Sequence, residues 1–366
     1  MPDPRASKLA KLLVEYSVSI KDGDEVLIRA GIEALPLLRE LVKEVVSRGA
    51  YPHIMLNDGV LQEAFYRYAK ENVLKHLSPI EKFIMEKIDA SISIISSNHT
   101  KPLISIKPEK IRMKRAATRE LNEIFMKRQA KGELRWVVSI YPTYALAQEA
   151  GMGPIEYEEF AYKACMVDRE DPINEWKKQA EKQEKIIKLL SRIDELRVVA
   201  GETDLTLKVG GRTWINDDGK HNMPGGEVFS APVEDSVEGV VKFDYPAVWG
   251  GIEVEGAKMI FKRGEVVEVH AEKGEDKLKE ILKTDDGAKR LGEVAFGLNY
   301  SINRATKQIL FDEKIGGTMH LALGAAYPET GGKNKSAIHW DFILDLKRGK
   351  VYGDGDLIYE NGRFLL

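Results

Sequence analysis

Apolar and polar positions follow two different rhythms along this chain, and the change falls near its middle. In the first half, short apolar runs alternate with stretches of helical spacing. Glu25–Ala30 (EVLIRA), Tyr51–Leu56 (YPHIML), Ala90–Ser96 (ASISIIS) and Leu134–Pro142 (LRWVVSIYP) read as strands. Residues 6–16, 34–49, 61–76, 80–88 and 110–131 read as helices, and Gly49 sits where a helix end needs a left-handed residue. Strands alternating with helices predict parallel crossovers and a doubly wound α/β sheet. The turn after the first strand, AGIEALP, lacks the glycine pattern that brings a backbone against a pyrophosphate. The sheet is therefore expected to be a scaffold or a dimer surface, with no nucleotide site.

A charged segment, Asp171–Leu196, reads as a solvated linking helix. From Arg197 the pattern turns to period-two alternation punctuated by glycine. TDLTLKVGGRTWIND carries Gly210-Gly211 between two such runs and predicts a hairpin there. Two helices are expected near 276–283 and 287–293. The chain thus divides into a doubly wound α/β domain with its linking helix, residues 1–190, and a mostly antiparallel β domain with a few helices, residues 191–366.

Composition narrows the chemistry. Lys+Arg number 55 against Asp+Glu 58, a net charge of -3, which gives no electrostatic pull toward nucleic acid or an anionic membrane. The dense mixture of Lys, Arg and Glu is of the kind found in thermophiles. The N-terminal residues lack the apolar core of a secretory signal, and no run is long enough to span a bilayer, so a cytoplasmic location is expected. The one cysteine, Cys165, lies in an apolar helical pattern and reads as a buried thiol. It allows neither an internal disulfide nor a thiolate zinc site, so any metal must rest on imidazole and carboxylate.

Two of the seven histidines fall close together in GGTMHLALGAAYPETGGKNKSAIHWD. His339 and Asp341 stand two apart on an alternating strand, so they share a face, while Ile338, Trp340 and Phe342 point to the other. An ordinary solvent-facing polar pair has the same pattern. His320 lies in an apolar segment, where a core histidine with both nitrogens satisfied fits equally. Tyr327 precedes Pro328 at the lip of a Gly-rich loop. Glu227 follows two glycines, which permit a close backbone approach. Glu293 lies in an apolar run, where an unpaired carboxylate would cost several kcal/mol, so it requires a cation. Glu313 is a further candidate. These donors are too many for one tetrahedral ion and sufficient for two ions about 3.5–4 Å apart that share a carboxylate.

The segments GGEVFSAPVEDSVEG, LGEVAFGLN, FDEKIGGTMHLALGAAYPETGG and NKSAIHWD resemble the thermophilic metallo-aminopeptidase family of the aminopeptidase T type. YPTYALAQEAG is similar to a further segment of that family, with Leu146 in a tryptophan position. The resemblance covers nearly the whole chain. It implies two divalent ions, zinc, cobalt or manganese, held by Glu227, Glu293, Glu313, His320, His339 and Asp341, with Tyr327 as the active-site tyrosine. The gap from Glu313 to His320 is longer than in some members, and the loop from Tyr327 to His339 is shorter. The resemblance also implies a homodimer that hydrolyses the first peptide bond of a short peptide with a free N-terminus. Glu313 or Glu234 would be the candidates for a general base. Metal-ligand chemistry by itself leaves two other readings open: another two-metal hydrolase, such as an amidase or phosphoesterase, and a binding protein in which metal only holds the fold.

Overall fold

The computed structural model describes residues 3–366, which form two compact units. One runs up to Ile173 and takes in Gly219–Met223; the other comprises Asn174–Asp218 and Pro224–Leu366. Among the described residues, no helix is long and apolar enough to cross a membrane.

The first unit is the expected α/β sheet. Strands β1 (Glu25–Ala30), β2 (Tyr51–Leu56), β3 (Ala90–Ile95) and β4 (Arg135–Ile140) pair in parallel in the order β2-β1-β3-β4, and the short strand Asn222–Met223 adds to β4. The central β1 and β3 are buried over most of their length, as parallel strands covered on both faces must be. Edge strand β2 leaves Tyr51, Ile54 and Leu56 more than half exposed. Gly49 has φ +75° directly after the Leu35–Val46 helix, in the predicted left-handed position. The expected single helix over 110–131 is broken at Thr118 into Pro108–Ala117 and Arg119–Ala130. The expected 61–76 helix ends at Tyr68 and resumes as one turn, Glu71–Leu74. Cys165 is buried, and burial pushes its thiol above the usual range.

The second unit packs two antiparallel sheets around one core. The eight-stranded sheet supplies Leu196, Val198, Leu205, Leu207, Met259 and Phe261; the other supplies Val228, Phe296, Leu321, Trp340 and Phe342. This second sheet contains β5 (Ile215–Asp217), β6 (Glu227–Ser230), β7 (Leu291–Gly297), β8 (Thr318–Gly324) and β9 (His339–Asp345), in the order β9-β8-β7-β6-β5.

Three expectations are corrected here. The hairpin at Gly210-Gly211 does not form, because Thr203–Lys208 and β5 belong to different sheets; Thr203–Lys208 instead turns tightly back on Glu195–Ala200. Residues 287–293 give only a 3₁₀ turn, Asp286–Lys289, and Glu293 lies on strand β7. The Pro172–Leu190 helix is not a solvated linker. Its Trp176, Gln183 and Leu190 are fully buried, Ile186 and Leu190 join the core of the second unit, and the helix belongs almost wholly to that unit and not to residues 1–190. The charge of its exposed faces hides one apolar stripe.

Candidate metal centre

The two faces of the β9–β5 sheet differ completely. One presents Val228, Val294, Phe296, Met319, Leu321, Leu323, Trp340, Phe342 and Leu344 to the core. The other presents Glu227, Glu293, His320, His339 and Asp341. Pairing shows how they fit: Glu227 lies opposite Gly297, His320 opposite Ala295, Asp341 and Glu293 both opposite Ala322, and His339 opposite Gly324. Cross-strand partners share a face, so each polar side chain has a glycine or alanine beside it and room to converge on its neighbours. The expectation that Ile338, Trp340 and Phe342 point away from His339 and Asp341 holds: all three are buried in the core.

Two glycines shape this face. Leu291 pairs with Leu323 while Glu293 pairs with Ala322, so β7 carries a bulge at Gly292. Leu291 thereby faces the core and Glu293, two residues on, faces the site; without the bulge they would share a side. A Cβ on Gly292 would lie 2.3 Å from the Ala325 carbonyl oxygen. Gly226, with φ +112°, lets Glu227 start β6 with the backbone against Asn299, where a Cβ would meet another Cβ at 2.6 Å.

The side chains form two groups, Glu227–Glu313–His320 and Glu293–His339–Asp341. The Glu293 carboxylate reaches both: Oε1 is 3.6 Å from His320 Nε2, and Oε2 is 3.0 Å from His339 Nε2. Glu227 Oε2 is 3.5 Å from His320 Nε2, and Asp341 Oδ1 is 3.5 Å from His339 Nε2. The outer nitrogens are fixed by the backbone. His320 Nδ1 is 3.0 Å from the Glu313 carbonyl and His339 Nδ1 is 2.8 Å from that of Ala325. A carbonyl only accepts, so Nδ1 carries the proton in each ring and a neutral ring turns the Nε2 lone pair to the cluster, as a metal-binding imidazole does.

Without an ion, the surrounding carboxylates favour the charged form of both rings. Burial lowers the His320 imidazole, but Glu293 and Glu227 outweigh it and push it up to about 10. Burial likewise lowers His339, and Asp341 with Glu293 push it up to about 12. Burial raises Glu293, yet the two imidazoles hold it at about 2. Burial raises the carboxyls of Glu227 and Glu313, with Lys314 opposing. The cluster therefore draws positive charge. Glu227 Oε2, His320 Nε2 and Asp341 Oδ1 are buried without a hydrogen bond. Buried oxygens and an imidazole nitrogen left without hydrogen bonds, and with no sulfur donor among them, suit divalent metal ions.

Tyr327 borders this cluster just before the short Pro328–Thr330 helix. Its ring packs on Phe229 at 5.5 Å and on His339 at 5.0 Å. The residue keeps 40% of its surface exposed, yet burial of the phenol, then Glu293 and Asp341, push its hydroxyl well above the usual range. Glu234, the other candidate base, is already engaged: Oε2 is 2.7 Å from Arg212 Nη2, and Oε1 accepts from the Lys333 amide at 2.6 Å.

Two features were not anticipated. Lys314 has no exposed surface, contacts Glu313 Oε1, and places Nζ 3.4 Å from Glu227 Oε1 and 3.5 Å from Asp217 Oδ2. From the buried helix, the Gln183 amide donates to the carbonyls of Asp217 and Glu227 and to Asn216 Oδ1, tying β5 and β6 together beneath the site. A lysine before two glycines and a glutamine in a charged helix read as surface residues, and nothing in the local pattern marks either as buried.

The profile of the thermophilic metalloprotease (M29) family matches residues 3–364. This chain belongs to that family. It is a metallopeptidase of the aminopeptidase type, as the resemblance of its sequence segments implied. Aminopeptidase T of Thermus thermophilus is 30% identical over 97% of this chain and 95% of its own length. Aminopeptidase 2 of Geobacillus stearothermophilus is 28% identical over 98% and 97%. The solved structure of wild-type AmpT from Thermus thermophilus superposes with a TM-score of 0.86 at 28% identity, covering 99% of both chains. A dihydroxypyridine dioxygenase from Pseudomonas putida, 14% identical with a TM-score of 0.60, shares the fold alone.

Proposed function

We propose that this member removes the N-terminal residue of short peptides bearing a free amine, using two divalent ions held by Glu227, Glu313 and His320 on one side and Glu293, His339 and Asp341 on the other. The observation that carries the two-ion reading is Glu293, whose two oxygens face different imidazoles, as a carboxylate shared between two ions must. Zinc, cobalt or manganese bound there would supply a Lewis acid for the scissile carbonyl and a water acidified toward neutrality. The chain's own groups supply the rest. A substrate α-amine that takes a carboxylate oxygen not used by an ion would make the enzyme an exopeptidase. The Tyr327 phenol stays protonated and donates a hydrogen bond to the developing oxyanion. Both oxygens of Glu234 are committed elsewhere, which leaves a carboxylate of the ion cluster itself to take up the proton.

The test compares Leu-Xaa dipeptides, their N-acetylated forms and an aryl phosphate, with and without chelator. Chelator-sensitive cleavage of the free-amine peptides alone supports the reading. Cleavage of acetylated peptides at the same rate, or of the phosphate instead, refutes it. Self-association into a homodimer in the cytoplasm belongs to the same proposal. The edge strand β2, with Tyr51, Ile54 and Leu56 uncovered, offers a surface for it. Sedimentation equilibrium giving a monomer mass at micromolar concentration would dismiss the dimer.

A further inference from the structure

The two candidate ion groups look equivalent, each with one imidazole and two carboxylates, but one carries a resident cation. Lys314 is buried against Oε1 of both Glu227 and Glu313. Among the described residues, no lysine or arginine forms an ion pair with Glu293 or Asp341. We infer that Lys314 is a positioning residue that makes the two ion sites unequal: Glu293–His339–Asp341 fills first and tightly, and Glu227–Glu313–His320 fills second and loosely.

Two physical effects act together. The ammonium engages one oxygen of each glutamate, so each has its other oxygen left for an ion. Glu227 Oε2, turned toward His320 and buried without a hydrogen bond, is the visible result. A fixed positive charge directly on the ligand carboxylates also repels an incoming divalent cation within a low-dielectric pocket. Asp217, on the same ammonium at 3.5 Å, offsets part of that repulsion from outside the ligand group. Removing Lys314 and removing the charge of Asp217 should therefore move the second site in opposite directions. This inference rests on the two-ion reading above.

The experiment is a titration of metal-stripped full-length protein with Co²⁺, followed by calorimetry and visible absorption. Wild type should bind two ions in separate steps. Lys314→Met should tighten the second step by about tenfold or more and change the first by less than about threefold. Asp217→Asn should weaken the second step. If Lys314→Met does not fold, wild type beside Asp341→Asn and Glu313→Gln still decides the order. The first cobalt absorption should vanish in Asp341→Asn and survive in Glu313→Gln, and the reverse overturns the inference. A purely structural lysine would lower Tm without opposed shifts in affinity, which also overturns it. Two ions bound with equal affinity, with peptide hydrolysis intact, would defeat this inference alone. Absence of cobalt uptake would defeat it together with the two-ion reading.

Discussion

His339, Trp340 and Asp341 are consecutive, yet they belong to two different kinds of protein interior. Trp340 is 1% exposed in a core of aromatic and branched side chains, stacking near Trp249 and Phe342. Its neighbours meet Glu293 across a carpet of glycine and alanine. The core face gains stability by removing apolar surface from water. The opposite face accumulates like charges and hydrogen-bonding atoms left without partners, which cost stability until a cation joins them. One sheet thus holds its fold on one side and concentrates binding potential on the other.

The sharpest break in that comparison is His339→Ala. Activity should fall by on the order of a hundredfold or more, since losing even a group that orients a metal ligand costs about 10–100-fold. Metal-free stability should fall by about 1–2 kcal/mol, because Glu293 loses one cationic imidazole but keeps His320 and the scaffold stays. Peptide hydrolysis assays beside chemical denaturation of the metal-free protein check both. Trp340→Ala should do the reverse, costing about 3–5 kcal/mol by denaturation while the folded fraction keeps its metal. Losses of equal size in both variants would erase the distinction between the faces. Gly292→Ala should lower metal content and activity together, because its Cβ would strike the Ala325 carbonyl and disturb the bulge that aims Glu293.

The smallest effect is expected outside the second unit. In the first unit, Glu40 is nearly buried, and Ser7, then Arg39 and Lys43, hold its carboxyl at about 2. A carboxyl lowered in the folded state stabilises above its unfolded value and loses that contribution as pH falls through its folded value. Glu40→Gln should therefore cost about 1 kcal/mol at pH 7, the exposed Arg39 and Lys43 being screened by solvent. The cost should shrink as pH drops from about 4 toward 2. Urea denaturation across pH 7 to 3 measures it, and a constant difference would contradict the assignment.

The legible parts were those with a strong local period. Parallel strands announced themselves as apolar runs, and the alternation of AIHWDFILD placed His339 and Asp341 on one face with Trp340 on the other. Glu293 was found by the cost of burying it. Its orientation was not legible, because a bulge is a register event between two strands and leaves only a glycine in the sequence. Lys314 and Gln183 were missed for a related reason: a polar residue is buried by long-range partners, Asp217, Glu227 and Glu313 for one and three groups on β5 and β6 for the other. The Gly210-Gly211 hairpin failed because two adjacent strands can pass to separate sheets without changing their alternation.

Anomalous diffraction from crystals soaked in Co²⁺ tests the shared role of Glu293 most directly. Two peaks about 3.5–4 Å apart, one on each side of its carboxylate, are the expected outcome. A single peak, or two that do not both touch Glu293, would contradict it.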